Sequence, residues 1–211
     1  MCCKFSPNDS YIASGSYGQI KLFDAKTYEE SEVKFSNNMH NMHVWDLNFS
    51  EDELFMVSCS QDSSIRLWSL ESGSLKQKFE GHSDSVQNVF FASNGEQIIS
   101  CSLDQTVKTW EIGENMQENK DVHVTAVAKV VFSPDGLIVA SCSTDFTIKL
   151  WSTTDGKLLG TLVGHTACVN DACFSPDSKQ LASCSSDKLI IVWDVSTKAK
   201  VKEISGHQDM I

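Results

Sequence analysis

Histidine, serine, aspartate and tryptophan recur along this chain at a fixed interval, and the first three are the residue types of a hydrolytic triad. Five of the six histidines are separated by 42, 41, 42 and 42 residues. An active site needs one constellation in one pocket, so repetition favours a structural network of buried polar groups over catalysis. The repeated positions are His40, His82, His123, His165 and His207, Asp62, Asp104, Asp145 and Asp187, and Trp68, Trp110, Trp151 and Trp193.

A period of about forty residues indicates one supersecondary unit copied along the chain. Within residues 82–122, the stretches SDSVQNVFFAS, EQIISCS and TVKTWEI each predict a strand, and a shorter polar segment ending near Val122 predicts a fourth. Turn sequences such as FSPDG at 132–136 and FSPDS at 174–178 recur at the first turn of the units. Four short antiparallel strands in each of five units predict the blades of a β-propeller.

The repeats resemble the WD40 family. Gly-His stands near the start of three units (81–82, 164–165 and 206–207), and Trp-Asp stands at the end of the third strand in the unit that begins at 164, as Trp193-Asp194. The resemblance implies an all-β propeller of four-stranded antiparallel blades, in which the repeated histidine, aspartate and tryptophan and a serine on the second strand form a hydrogen-bonded chain. A single propeller region is expected over residues 1–211, with blades at 1–37, 38–80, 81–122, 123–163 and 164–205, and with 206–211 leading into a further blade or the ring closure.

The number of units and the first unit both depart from the family pattern. The resemblance implies a ring of seven blades, so five units are interpreted as an excerpt of a larger propeller; the alternative is a unit that closes on itself or pairs with other copies. In the first unit the turn Tyr17-Gly18-Gln19 is shorter and lacks the aspartate, and Phe23 replaces the tryptophan. This blade is predicted to be the least rigid, or to carry a specialised loop.

Composition narrows the expected partners and compartment. The net charge of −11 argues against nucleic acid or anionic membrane as a partner and mildly favours basic proteins or peptides. No stretch approaches the roughly 18 apolar residues of a membrane span. The eight cysteines lack CxxC pairs, and four share one repeat position, where they are expected to be small buried residues: Cys59, Cys101, Cys142 and Cys184. An intracellular setting is predicted, cytoplasmic in preference to nuclear.

The predicted function is a non-enzymatic scaffold that binds proteins or peptides on the propeller faces, without cofactor, metal or small-molecule substrate. The resemblance implies that two positions per blade ring the channel mouth on one face. The first position follows the aliphatic residue that begins the first strand of a blade, and its residues are Trp45, Gln87, Ala128 and Asn170. The second position precedes the turn aspartate, and its residues are Gln61, Leu103, Thr144 and Ser186, with Tyr17 in the first unit. Trp45 is the strongest candidate because large aromatic side chains dominate binding energy; alternatively it packs between blades. The neighbouring His43 is either a ligand contact or an ordinary surface residue.

Two alternatives stay open. Cysteine-rich segments such as Cys2-Cys3-Lys4-Phe5 and Ala140-Ser141-Cys142-Ser143 are similar to the propellers of apoptotic protease-activating factor and related nucleotide-switch proteins. That resemblance implies a ligand-sensing propeller for a basic protein such as cytochrome c. Hydrolysis by one of the repeated sets is the enzymatic alternative, and activity that depends on Ser185 but not on Ser143 would support it.

Overall fold

The computed structural model describes residues 2–35, 39–92, 95–113, 117–118, 123–154 and 156–209. These residues form antiparallel sheets, one for each of the five predicted repeats, which confirms the all-β class. The predicted blade boundaries at residues 37, 38 and 122 lie outside the described residues. Among the described residues there is no helix of the length and hydrophobicity needed to span a membrane.

Two compact units make up the chain. Unit 1 comprises Met1–Ser102 and Lys108–Glu118, and unit 2 comprises Leu103–Val107 and Asn119–Ile211. The first and second sheets are β1 Cys2–Phe5, β2 Tyr11–Gly15 and β3 Ile20–Asp24, then β4 Val44–Phe49, β5 Phe55–Ser60, β6 Ser64–Ser69 and β7 Leu75–Glu80. The third is β8 Val86–Phe91, β9 Gln97–Ser102, β10 Val107–Glu111 and β11 Gln117–Glu118. The fourth and fifth are β12 Val127–Phe132, β13 Ile138–Ser143, β14 Thr147–Ser152 and β15 Leu158–Val163, then β16 Val169–Phe174, β17 Gln180–Ser185, β18 Leu189–Asp194 and β19 Lys200–Ser205.

Among the described residues the first sheet has three strands, so there the prediction of four strands in every blade is wrong. In the described part of the segment after β3, Glu30 forms an isolated bridge to Phe23. Phe35 is then buried, with its ring edge-on to that of Trp68 at a centroid distance of 5.5 Å. Burying a phenylalanine against the second sheet stabilises more than extending a short edge strand, so packing overrides the repeat pattern here.

Apolar side chains join neighbouring sheets within each unit. In unit 1, Leu22 of the first sheet packs with Leu47 and Trp68 of the second, and the opposite face of the second sheet packs against the third. In unit 2, Leu150 of the fourth sheet packs with Leu181 of the fifth. Within each unit, neighbouring sheets therefore share an apolar interface, and the ends of the strands carry the polar turns.

Candidate functional site

The repeated polar residues form one hydrogen-bonded chain inside a sheet, seen completely in the fifth. His165 Nδ1 lies 2.8 Å from Asp187 Oδ2, and His165 Nε2 lies 2.9 Å from Ser183 Oγ. The indole N–H of Trp193 donates to the same serine oxygen at 2.8 Å. The side chains come from the loop before β16, from β17 and β18, and from the turn between them, so the hydrogen bonds link that loop to the two central strands.

The fourth sheet repeats this geometry and indicates the protonation states. His123 Nδ1 lies 2.9 Å from Asp145 and Nε2 lies 2.7 Å from Ser141, which also accepts the indole N–H of Trp151 at 2.7 Å. A carboxylate only accepts, so Nδ1 carries the proton and Nε2 accepts from the serine hydroxyl. Burial lowers the pKa of His123, although Asp145 partly offsets this, so the imidazole is neutral near pH 7.

Hydrogen bonds dominate the ionisation of the turn aspartates. Burial by itself would raise the pKa of Asp145, but hydrogen bonds from Thr147 and His123 lower it to about 2. The same balance holds the pKa of Asp62 far below its usual range, where His40 and Ser64 donate. These carboxylates are therefore ionised acceptors, as a structural network requires.

A nucleophilic role for the repeated serines conflicts with their surroundings. Ser141 is 0% exposed and Ser183 1% exposed, so substrate has no access to either hydroxyl. The hydroxyl of each already accepts the indole N–H, which competes for the oxygen lone pairs that a nucleophile would use. The arrangement fits the structural interpretation of the repeats.

The second and third repeats contain variants of this set of histidine, aspartate, serine and tryptophan. In the second sheet His40 contacts Asp62 and Ser58, Trp68 donates to Ser58 at 2.9 Å, and Arg66 adds an ion pair to Asp62 at 3.0 Å. In the third sheet, His82 Nε2 and Trp110 Nε1 each lie 2.8 Å from Ser100 Oγ. In the turn after β9, which belongs to unit 2, Asp104 accepts a hydrogen bond from the Thr106 hydroxyl at 2.6 Å. His207 is exposed, unlike the four earlier histidines of the repeat, which are buried.

The predicted face residues that follow the first-strand aliphatic residue each lie at a β-bulge. The register of the first strand shifts between Val44 and Asp46, where Trp45 is the extra residue. The same shift spans Gln87, Ala128 and Asn170 in the next three sheets. A bulge re-aims a side chain at the end of a ladder, which gives these positions a common physical origin.

The residues before the turn aspartate lie beside the bulges. The backbone N–H of Gln61 donates to the carbonyl of His43, that of Thr144 to Ala126 and that of Ser186 to Cys168, at 2.9–3.0 Å. Asn170 also donates from its side chain to Ser186 at 3.1 Å. In these three sheets the two predicted positions therefore lie at the same end of the sheet.

Three aromatic side chains meet at this end of unit 1 and form what we call the aromatic cluster: Tyr17, His43 and Trp45. Tyr17 and His43 are edge to face with centroids 5.0 Å apart, and His43 stacks on Trp45 at 5.5 Å. Tyr17 is 61% exposed and Trp45 36% exposed. Trp45 is therefore open to solvent on one side and does not lie buried between sheets.

Backbone pairing between the first and second sheets holds the aromatic cluster in place. Gly18 N–H donates to Met42 O and Val44 N–H to Ser16 O, both at 2.9 Å, on either side of a bridge between Tyr17 and His43. Gly18 has φ +62°, and a Cβ there would lie 2.9 Å from the carbonyl oxygen of His40. The short first-unit turn thus needs glycine to approach this closely.

The remaining predicted face residues divide between the units, and each unit is considered by itself. In unit 1 the Gln87 amide donates to Ser85 at 2.8 Å. In unit 2, Leu103 is 39% exposed and the Thr144 hydroxyl donates to Thr125 at 2.8 Å. From the sequence His43 was either a ligand contact or an ordinary surface residue; its place two residues before Trp45 and off the repeat spacing was the available signal. Within the described ranges, no group of three metal-ligating side chains is assembled.

Comparison with known proteins gives matches to repeat proteins of one kind. The family model "WD domain, G-beta repeat" matches residues 1–24, 33–69, 73–111, 116–152 and 156–194. A chromatin assembly factor 1 subunit FAS2 homolog of Oryza sativa subsp. japonica is 38% identical over 90 residues, which cover 41% of this chain and 18% of that protein.

Two further relatives have similar coverage. The guanine nucleotide-binding protein G(I)/G(S)/G(T) subunit beta-1 of Homarus americanus is 29% identical over 97 residues, 44% of this chain and 28% of that protein. The SAGA complex/transcription factor TFIID complex subunit Taf5 of Schizosaccharomyces pombe is 32% identical over 81 residues, 33% of this chain and 13% of that protein. The matched region spans well under two thirds of each of these relatives.

Proposed function

Because the chain belongs to the WD40 repeat family, whose members are typically non-catalytic interaction scaffolds, we propose that it binds proteins or peptides and that the aromatic cluster is a principal contact surface. The exposed contact between Tyr17, His43 and Trp45 carries the proposal. Tyrosine and tryptophan supply large contact areas with few rotatable bonds, which is why binding energy concentrates on them. The relatives named as subunits of larger complexes support an interaction role.

Charge and ring chemistry together favour a basic partner. The chain carries a net charge of −11. An aromatic face attracts a lysine or arginine side chain through its quadrupole. We expect a basic segment of the partner to lie on the exposed ring faces, and the association to weaken as salt rises, because exposed charges are screened.

Site-specific photo-crosslinking tests this surface. A photoreactive phenylalanine analogue at Tyr17 should capture a partner from lysate, and Trp45→Ala should remove that product. The matched control is the same analogue at Tyr28, another exposed tyrosine of unit 1. Equal products at Tyr17 and Tyr28, or products that persist in Trp45→Ala, would contradict the proposed surface, while the scaffold role could still be tested elsewhere.

The sensor role in a nucleotide-switch protein stays a prediction and is supported here by acidic charge alone. Cytochrome c is a suitable basic probe for it: saturable binding that weakens with salt would support the role, and absence of binding would count against it. The predicted intracellular location and the expectation that nucleic acid is not a partner also stay predictions.

A further inference from the structure

Unit 2 contains an apolar groove at the ends of its sheets opposite Thr144 and Ser186. The groove has a volume of about 540 Å³. Its lining includes Ile138, Leu150 and Leu159 of the fourth sheet and Val195 after β18. Leu150 is 1% exposed and forms the floor, whereas Leu159 is 43% exposed. The surface can therefore accept an apolar side chain without rearrangement of the core.

Two lysines line the same groove. Lys179 lies in the turn before β17 and Lys198 in the turn before β19. The nearby carboxylate of Asp194 accepts hydrogen bonds from Ser196 at 2.7 Å and from Thr197 at 2.7 Å and 2.8 Å. These hydrogen bonds hold the pKa of Asp194 at about 2, so its carboxylate is ionised beside the two ammonium groups, and two cations and one anion give the groove lining a net charge of +1. This local positive rim contrasts with the net charge of −11 of the whole chain.

Gly160 positions one of these cations. A Cβ at Gly160 would lie 2.3 Å from Cδ and Cε of Lys198, so the aliphatic stem of the lysine lies directly over this glycine of β15. The stem covers apolar surface while the ammonium group stays at the edge of the groove, as long cationic side chains commonly do. Glycine at this position thus gives the lysine its place beside the apolar floor.

We propose that this groove binds a peptide segment that carries large apolar side chains next to carboxylates. The apolar floor would take the aliphatic side chain, and Lys179 and Lys198 would bind the flanking acidic groups. This surface differs from the aromatic cluster in its unit, in its end of the sheet and in the charge of its ligand. It goes beyond the scaffold function proposed above, and a negative result at one surface leaves the other intact.

Methyl NMR with three synthetic peptides tests the proposal on the intact chain. Acetyl-GELDLEG-amide should cause saturable shifts of the methyl signals of Ile138, Leu159 and Val195. The neutral analogue acetyl-GQLNLQG-amide and the non-apolar analogue acetyl-GEGDGEG-amide should each bind at least about fivefold more weakly. Absence of saturable shifts with the first peptide, or equal affinity for either analogue, would overturn the proposal.

Variants separate the groove from general charge attraction. Lys179→Glu and Lys198→Glu should each weaken binding about threefold or more, whereas Lys202→Glu, the same charge change on exposed β19, should have little effect. Gly160→Ala changes no charge but displaces the Lys198 stem, so it should also weaken binding. Equal loss in Lys202→Glu would overturn the groove as the site, and unchanged affinity in Gly160→Ala would overturn the role of Lys198. Thermal melts of all four variants report whether the fold is intact.

Discussion

The carboxylate oxygen Oδ2 of Asp187 lies 2.8 Å from Nδ1 of His165, so the turn after β17 orients an imidazole supplied by the loop before β16. The same oxygen accepts the backbone N–H of Thr166 at 2.9 Å. Asp187→Ala should therefore leave donors without acceptors and lower the free energy of unfolding by about 1–3 kcal/mol. Tyr17 occupies the corresponding turn of the first unit, which has no aspartate, so Tyr17→Ala should cost less. Urea denaturation of both variants measures the difference; an Asp187→Ala variant as stable as the parent would remove the support for a structural network.

Acid should destabilise the fold in two stages. Burial lowers the pKa of His123 below its ordinary 6.5, so the unfolded chain binds a proton that the folded chain excludes. Stability should fall as the pH drops below about 6.5, the ordinary histidine value. The pKa of Asp145 is lowered from 3.8 to about 2, so its share of stability is present above pH 3.8 and is lost between these values.

The stages can be assigned with urea titrations at a series of pH values. His123→Asn should reduce the slope of unfolding free energy between pH 7 and pH 5, and Asp145→Asn should reduce the slope below pH 4. A slope between pH 7 and pH 5 that is the same in His123→Asn and in the parent would contradict a buried neutral imidazole.

The thiols should differ in their rate of alkylation. Cys3 and Cys173 are exposed, whereas Cys59 and Cys142 are buried, and burial raises the pKa of Cys59 well above its ordinary value. Because the thiolate is the reacting species, iodoacetamide should modify Cys3 and Cys173 first. Peptide mapping by mass spectrometry at pH 8, with a sample in denaturant as control, measures the order. Early modification of Cys59 or Cys142 in the native protein would indicate that the sheets open readily.

The segment that leaves the first sheet should contribute to the stability of unit 1. Phe35 is buried on Trp68, so Phe35→Ala should lower the unfolding free energy by about 3–5 kcal/mol. Tyr28→Ala, which removes an exposed ring from the same segment, should have little effect. Comparable loss in both variants would mean that the Phe35 contact is not the stabilising feature.

Strands, turns and polar networks could be predicted because each is contained within one repeat. His165 and Ser183 are 18 residues apart and Trp193 and Ser183 are 10 apart, and the same separations hold for His123, Ser141 and Trp151. Alternation of apolar residues and turn chemistry are likewise local properties. The repeat spacing was therefore enough to identify the network and to argue against catalysis. Cys184 departs from the expected burial: it is half-buried, unlike Cys59, Cys101 and Cys142.

The sequence by itself determined the five repeated units and the polar residues that each unit ties together. The tertiary structure decided which side chains from different repeats meet: Phe35 with Trp68, Tyr17 with His43, and Lys198 with Gly160. Such contacts depend on how neighbouring sheets pack, and a periodic pattern describes one sheet at a time. The three-stranded form of the first sheet in the described residues, the aromatic cluster and the lysine-rimmed groove all arise from packing between sheets, where side-chain volume and burial outweigh the repeat.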